Sequence, residues 1–373
     1  MARAPVTAGI EAIPEADRLE GFPHPRETQT LFGQSKAERV LSDALASGKM
    51  HHAWLVTGGE GIGKATLCYK AAGALLAREG ERGMFATGLD IEPGSTTARQ
   101  IVARSHPGLI VIRRPYDIKA KRFTATIPID EVRRLRSFLS LSAGDQGWRA
   151  VIVDSADELN VNAANALLKS LEEPPPKTVF LIVSSTPGRL LPTIRSRCRT
   201  LALESLTSGD LRKAAQAALT AAGKPALKEE DFTSLEVLAK GSPRRLLALL
   251  EGGGLALQAN LDKIFTSLPA LDVAAAHAVA DDLQPAAQEQ KFELFYDLLF
   301  DQLIRTVRAG VTGEGRSGDL ALAKRLMGGG KLATYAQLWE TLVRDKADAE
   351  ALNLDRKSLI LDTLSRLEAA ARG

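Results

Sequence analysis

Cysteine is almost absent from this chain of 373 residues, which contains only Cys68 and Cys198. Two cysteines cannot build a disulfide framework or a four-cysteine zinc site, so the composition indicates a reducing compartment. An apolar run of the roughly 18–20 residues that a membrane helix needs is missing as well. Residues 1–31 also lack the apolar centre of a signal peptide. We therefore predict a cytoplasmic protein that makes no contact with membranes.

A large charge of one sign is also missing, because the formal net charge is only +3. This value is too small to indicate nucleic-acid binding by itself, although a local basic face is compatible with it. One basic run follows the apolar segment 108–112 and consists of Arg113, Arg114, Lys119, Lys121 and Arg122. The run is typical of a solvated loop, and contact with a phosphate backbone is the alternative that the sequence leaves open.

A glycine-rich loop between a strand and a helix is the first motif that carries chemistry. The apolar strand 53–57 runs into Gly-Gly-Glu-Gly-Ile-Gly-Lys, and a helix is predicted to follow. The backbone amides of such a loop and the positive end of the helix dipole bind phosphate, and the lysine adds a point charge. We predict that Gly58, Gly61, Gly63 and Lys64 form a nucleotide phosphate site.

Two parts of a hydrolytic site are missing from the same sequence. The residue after the lysine normally carries the hydroxyl that holds Mg²⁺, but here it is Ala65, and Thr66 lies about 100° further round the helix. Asp154 ends the apolar strand 151–153 and is the expected Mg²⁺ carboxylate. The next residue is Ser155 rather than a second acid that would orient water. We predict weak or absent ATP binding and no ATPase activity of the chain's own.

The stretch 149–199 continues from that acid through a helix and a second strand. An amphipathic helix over 162–173 stops at three prolines, and a buried strand covers 178–183. The hydroxyls of 184–186 fit two roles equally well, namely approach to a γ-phosphate or capping of the next helix. The stretch closes on Ser-Arg-Cys, in which Arg197 lies in a structured turn. Such an arginine can reach a phosphate held by a neighbouring subunit, and an ordinary surface arginine is the alternative.

The order of strands and helices predicts an α/β chain of several domains. Residues 1–30 contain four prolines and no hydrophobic period, so we predict a mobile N-terminal arm. A parallel-sheet core is predicted over 31–205, a lid of three helices over 206–252, and an all-helical domain over 255–373. The apolar segment 292–300 of that domain fits either an oligomerisation surface or the core of a self-contained bundle.

Three segments resemble the clamp-loader branch of the AAA+ proteins. They are the glycine loop at 58–65, Asn-Ala-Leu-Leu-Lys-Ser-Leu-Glu-Glu-Pro at 165–174, and Ile-Arg-Ser-Arg-Cys at 194–198. The last two together form a specific signature, whereas many NTPases share the glycine loop. The resemblance implies a RecA-like AAA+ core, a helical lid, and a collar domain that holds a pentameric ring together. It also places Arg244 at the sensor position of the lid.

The resemblance further implies a role in chromosome replication. Arg197 would act in trans at the ATP site of an adjacent gamma or tau subunit. The ring would also contain delta and would load the sliding beta clamp of the DNA polymerase III holoenzyme, a nucleotidyltransferase, onto primed DNA. Members of this family often carry a four-cysteine zinc module, whereas the corresponding stretch here, 78–107, contains no cysteine, so we predict no zinc. Two alternatives stay open: an ATP-hydrolysing motor subunit of the same loader, and a stand-alone helicase-like AAA+ enzyme.

Overall fold

The computed structural model describes residues 13–82, 88–141, 147–328, 330–352 and 354–372. The chain divides into two compact units. The first contains the residues up to Leu227 together with Lys240–Arg244, and the second contains Lys228–Ala239 together with the residues from Arg245 onwards. This division into two units does not test the boundaries that we predicted between arm, core, lid and collar, which remain predictions.

The first unit is built on a parallel sheet. Its strands are β1 (Ala53–Thr57), β2 (Leu109–Ile112), the short β3 (Tyr116–Asp117) and β4 (Arg122–Phe123), β5 (Arg149–Val153), β6 (Thr178–Ser184) and β7 (Arg199–Ala202). Five of them form one sheet in the order β2-β5-β6-β1-β7, with every neighbouring pair parallel, and β3 and β4 form a separate antiparallel hairpin. This sheet, with the helices described below, confirms the predicted α/β fold class.

Burial explains the composition of the three central strands. Every residue of β1, β5 and β6 is buried, and the three are nearly continuous apolar runs, as expected for parallel strands covered on both faces. The register pairs Thr57 with Ser184, and Val153 with Ile182. The glycine loop and Asp154 therefore emerge at the same carboxyl edge of the sheet, where parallel α/β folds bind their ligands.

Helices connect the strands of the first unit. They are α1 (Ser35–Ala46), α2 (Lys64–Leu76), α3 (Thr96–Val102), α4 (Ile129–Leu141), α5 (Val161–Glu172), α6 (Pro192–Arg195) and α7 (Ser208–Ala221). The Asn160 side chain caps α5 by accepting a hydrogen bond from the Ala163 amide at 2.8 Å. Leu167 and Leu171 of α5 are buried in the same apolar cluster as Phe180 of β6, which anchors this helix to the sheet.

The N-terminal segment, residues 13–30, is packed against the first unit rather than forming the mobile arm that we predicted. Phe22 and His24 are buried, and His24 caps a short 3-10 helix at Pro25–Glu27. The His24 ring lies edge-on to Tyr69 of α2, with ring centroids 5.6 Å apart. Residues 1–12 of the predicted arm lie outside the described residues.

The second unit is helical in its described residues. Its helices are α8 (Glu229–Ala239), α9 (Pro243–Glu251, which begins in the first unit), α10 (Gly254–Ser267), α11 (Val273–Leu283), α12 (Glu289–Thr312), α13 (Ser317–Met327), α14 (Leu332–Leu352) and α15 (Arg356–Arg372). Gly313 ends α12 in the left-handed conformation, with φ of 69°. None of the helices in the described ranges combines the length and apolar character that a bilayer crossing demands.

The apolar segment 292–300 lies inside the second unit. Phe292, Phe295 and Tyr296 are almost completely buried there, and the Tyr296 hydroxyl lies 3.0 Å from Thr363 Oγ1 of α15. Arg245 forms a largely buried ion pair with Asp301 of α12. These apolar side chains are buried in the unit's own core. Their burial favours a self-contained bundle over an apolar surface that is available for oligomerisation.

Candidate nucleotide site and exposed arginine

The glycine loop between β1 and α2 requires glycine at three positions. The φ angle is 136° at Gly58, 70° at Gly61 and 104° at Gly63. A Cβ atom at Gly58 would lie 2.6 Å from the carbonyl oxygen of Leu203, and one at Gly61 would lie 2.4 Å from Cβ of Arg244. The loop is therefore fixed by close packing as well as by its backbone conformation.

Lys64 begins α2 and turns its ammonium group back over the loop. Its Nζ donates hydrogen bonds to the carbonyl oxygens of Gly58 at 2.9 Å and Gly59 at 2.5 Å, and to Ser185 Oγ at 2.9 Å. Burial lowers the pKa of Lys64, and the charge of Glu60 opposes that shift. The lysine thus lies on the loop that is predicted to bind phosphate, and one of the three hydroxyls of residues 184–186 contacts it.

Asp157 fixes the backbone that carries those hydroxyls. Its Oδ2 accepts hydrogen bonds from the amides of Ser185 and Thr186, and from Thr186 Oγ1 at 3.1 Å. The contact joins residues 28 and 29 positions apart, so no local pattern indicates it.

Asp154 and Ala65 lie where a magnesium site is expected in this fold. Asp154 follows β5 and is buried, and burial raises the pKa of its carboxyl group to about 7, with a further contribution from the charge of Asp17. Ala65 is partly exposed in the first turn of α2, and Thr66 beside it is buried. A methyl group therefore occupies the position from which a hydroxyl would hold Mg²⁺.

Replacing Asp154 by asparagine should change how stability depends on pH. The folded chain keeps this proton up to about pH 7, whereas an unfolded aspartate loses it near 3.8. The folded state therefore binds more protons between these values, and the residue's contribution to the free energy of unfolding falls as pH rises. We expect the stability of Asp154→Asn relative to the parent to be about 3 kcal/mol greater at pH 8 than at pH 4.5, measured by urea unfolding. The same difference at both pH values would contradict this account.

Arg244 lies beside the glycine loop, in the first unit. Its amide donates to the carbonyl oxygen of Gly61 at 3.4 Å. Its guanidinium donates to the carbonyl oxygens of Asp17 at 2.8 Å and Arg18 at 3.4 Å, and lies 4.0 Å from the Glu60 carboxylate. The sensor role remains a prediction, but the residue does lie next to the loop on which that role depends.

Arg197 lies in a turn between α6 and β7, with about one third of its side chain exposed. Its guanidinium donates to the carbonyl oxygen of Thr193 at 2.9 Å and forms an ion pair of 2.8 Å with Glu172 at the end of α5. The next residue, Cys198, is partly buried against the apolar cluster under the sheet, and burial raises its pKa to about 11. The cysteine thus anchors the turn that presents the arginine.

The basic run after β2 separates into two groups. Arg113 contacts the carboxylates of Glu15 and Asp17, and Arg114 forms an ion pair of 2.8 Å with Glu158. Lys119, Lys121 and Arg122 are exposed at the β3–β4 hairpin. Internal ion pairs therefore account for the first two residues, and the contact with DNA remains a prediction for the other three alone.

The stretch 78–107 has a packed interior in its described part. Leu89 and Ile101 are buried, and Glu81 joins its two ends by accepting hydrogen bonds from the amides of Arg78 at 2.9 Å and Thr97 at 3.2 Å. The described residues contain no group of three or more metal-binding side chains. The absence of zinc remains a prediction.

Comparison with known proteins finds relatives that are similar to the first unit. Residues 33–207 match the family described as "DNA polymerase III, delta subunit". The chain is 38% identical to the DNA polymerase III delta' subunit of Pseudomonas aeruginosa over 43% of this chain and 46% of the relative. It is 31% identical to the delta' subunit of Escherichia coli over 55% of this chain and 56% of the relative. The chain thus spans about half the length of these curated relatives.

Related subunits and solved structures complete the comparison. The gamma subunit of Buchnera aphidicola is 27% identical over 61% of this chain and 58% of the relative. A gamma-subunit-related protein of Thermotoga maritima aligns over 91% of this chain and 99% of its own, with 16% identity and a TM-score of 0.40. Residues 33–207, which contain the glycine loop, Asp154 and Arg197, are thus similar to the delta and delta' subunits of DNA polymerase III.

Proposed function

We propose that this chain is a largely non-hydrolytic subunit of the DNA polymerase III clamp loader. It supplies Arg197 to the ATP site of a neighbouring gamma or tau subunit in a ring that also holds delta, and the ring loads the sliding beta clamp onto primed DNA. The identity to delta' and gamma subunits supports the assembly. The position of Arg197 in the sheet supports the role in trans.

The observation that carries this proposal is the edge of the sheet at which Arg197 lies. The strand β7 runs parallel to β1, with Arg199 opposite a residue near the start of β1 and Ala202 opposite Thr57 at its end. Arg197 precedes β7 and so lies at the amino edge, whereas the glycine loop follows Thr57 at the carboxyl edge. The four residues of β7 alone extend about 13 Å. Arg197 therefore lies at the opposite edge of the sheet from the chain's own loop and is suited to a site on another molecule.

The contacts of Arg197 suit a group that is held ready for a partner. Its ion pair with Glu172 joins two partly exposed side chains, and such pairs contribute at most about 1 kcal/mol. A triphosphate carries more negative charge than one carboxylate, and its oxygens can accept two hydrogen bonds at once from the planar guanidinium. The arginine can therefore leave Glu172 for a neighbour's nucleotide at little cost.

The chain's own loop retains one half of an ATPase site. Lys64 and the three glycines match the pattern of a phosphate-binding loop, but Ala65 stands where the Mg²⁺ hydroxyl is expected and Ser155 where the acid that orients water is expected. The intact lysine contacts favour the alternative of a motor subunit in which another group positions the water. The losses at Ala65 and Ser155, which are independent of each other, favour the non-hydrolytic role.

ATP turnover by the purified chain separates these two roles. We expect no phosphate release above background, with or without primed DNA, because neither Ala65 nor Ser155 can perform the missing steps. The measurement is steady-state phosphate release at saturating ATP and Mg²⁺, with a Lys64→Ala chain as the reference for contaminating activity. Turnover that depends on Lys64 would establish the motor role instead.

A further inference from the structure

A network of charged side chains holds the N-terminal segment against the carboxyl edge of the sheet. Arg113, which directly follows β2, contacts the carboxylates of both Glu15 and Asp17. His24 Nε2 lies 2.8 Å from Asp17 Oδ2, and Arg26 Nη1 lies 2.8 Å from Glu15 Oε2. Since β2 and β5 are neighbours, this network lies at the edge that also carries the candidate nucleotide site.

The two carboxylates of this network are charged although they are buried. Their side chains are only 8% and 5% exposed for Glu15 and Asp17. Burial alone would raise both pKa values, but hydrogen bonds from Arg113 and Arg26 hold the pKa of Glu15 at about 2. His24 and Arg113 hold that of Asp17 at about 2 as well. Removing one partner of a buried charge leaves the other uncompensated, so the network depends on all its members.

The segment fixed in this way occupies the donors of Arg244. The backbone carbonyl oxygens of Asp17 and Arg18 accept hydrogen bonds from its two terminal guanidinium nitrogens, while its own amide contacts the glycine loop at Gly61. A guanidinium is a planar fork of donors that matches phosphate oxygens. Carbonyl oxygens of the chain itself therefore fill the fork beside the loop that would receive the triphosphate.

The segment also adds negative charge to this edge. Asp17 lies close enough to Asp154 for its charge to contribute, after burial, to the raised pKa of that carboxyl group. Arg113, Arg26 and His24 offset most of the charge of Glu15 and Asp17, so the part that acts on the site is the effect of Asp17 on Asp154. Repulsion between like charges in a partly buried site weakens anion binding.

We propose that the N-terminal segment is an internal plug of the nucleotide site, which regulates the site by holding Arg244 and must detach before a nucleoside triphosphate engages that arginine. The inference rests on the proposed function only in taking the Lys64 loop as a nucleotide site, whether or not that site hydrolyses ATP. The proposed function explains weak nucleotide chemistry by Ala65 and Ser155 alone. The inference adds a second cause, since residues 15–18 also weaken the binding of the nucleotide.

The test weakens the plug in the full chain and measures nucleotide binding. In a Glu15→Gln/Asp17→Asn chain the two charges and their ion pairs are lost, and we expect a fluorescent ribose-labelled ATP to bind at least tenfold more tightly than to the parent. Adding Arg244→Ala to this chain should remove most of the gain. The control Asp43→Asn/Glu79→Gln makes the same change in net charge at two exposed carboxylates and should stay within twofold of the parent. The milder Glu15→Gln chain provides an intermediate gain if the double variant does not fold.

Hydrogen exchange shows whether the segment detaches. Amides of residues 13–24 should exchange faster in the variant than in the parent, and saturating ATP should speed their exchange further. Folded variants that bind ATP no more tightly than the parent, including no binding by either, would overturn the inference. Full protection of the segment in the ATP-bound chain would overturn it as well. None of these readouts involves Arg197, so the plug and the role in trans succeed or fail separately.

Discussion

Replacing Arg197 by alanine is expected to slow ATP hydrolysis at the adjoining subunit of a reconstituted loader by about 10³-fold or more, as removal of a supplied arginine does in other phosphoryl-transfer sites. The transition state spreads negative charge over the transferred phosphoryl group, and a guanidinium from the neighbouring chain stabilises it. Loading of the beta clamp onto primed DNA, followed as the rate of clamp deposition, should fall accordingly. Because the side chain is partly exposed and its ion pair with Glu172 is weak, the fold should be unaffected.

The matched control for this variant is Arg195→Ala. Arg195 is an exposed arginine two residues earlier, at the end of α6, and it shares the same basic turn. Its loss changes the net charge by the same amount, and clamp loading should stay within about twofold of the parent. Size-exclusion chromatography of both assemblies should show an intact ring. If both variants loaded clamps at the parent rate, this result would contradict the proposed role of Arg197 at the neighbouring ATP site.

Gly58→Ala is expected to lower the stability of the first unit strongly. A Cβ atom there would lie 2.6 Å from the Leu203 carbonyl oxygen, a backbone atom that follows β7 and cannot move without disturbing the sheet. The φ angle of 136° adds strain for any residue with a side chain. Strain and overpacking together should cost about 3 kcal/mol. Calorimetry should show a melting temperature lower by about 5–10 °C.

The neighbouring glycine supplies the control for that substitution. A Cβ atom at Gly59 would meet only Ile62 Cγ2, at the ordinary distance of 3.7 Å, so Gly59→Ala should change the melting temperature by no more than about 2 °C. Equal melting temperatures for the two variants would show that the loop is less tightly packed than its geometry indicates.

The sheet and its site could be predicted because their signals are local. Continuous apolar runs such as 178–183 identify buried parallel strands, and the glycine loop identifies the carboxyl edge of one of them. Arg197 stands out because it lies in the Ser-Arg-Cys triplet that closes the stretch 149–199, in a predicted structured turn. Its location at the opposite edge from Lys64 could not be predicted without the pairing of β7 with β1.

The packing of the N-terminal segment could not be predicted from local sequence patterns. Prolines and scattered charges within residues 1–30 are typical of a mobile arm, and the hydrophobic pattern contains nothing to contradict that reading. Its order comes from ion pairs that join Glu15 and Asp17 to Arg113, which is 98 and 96 residues away from them along the chain, respectively. The sequence also predicted that Arg113 belongs to a solvated basic loop. Such long-range pairs between common residue types leave no periodic trace in the sequence.

Single-turnover phosphate release in the assembled loader tests the role of Arg197 most directly. ATP is bound to the ring first, release is started with primed DNA and clamp, and rings containing the parent, Arg197→Ala or Arg195→Ala chain are compared. We predict that with Arg197→Ala one fraction of the bound ATP is hydrolysed about 10³-fold more slowly while the remainder keeps its rate, and that Arg195→Ala matches the parent. Phosphate release that is identical in amplitude and rate for all three rings would contradict the account.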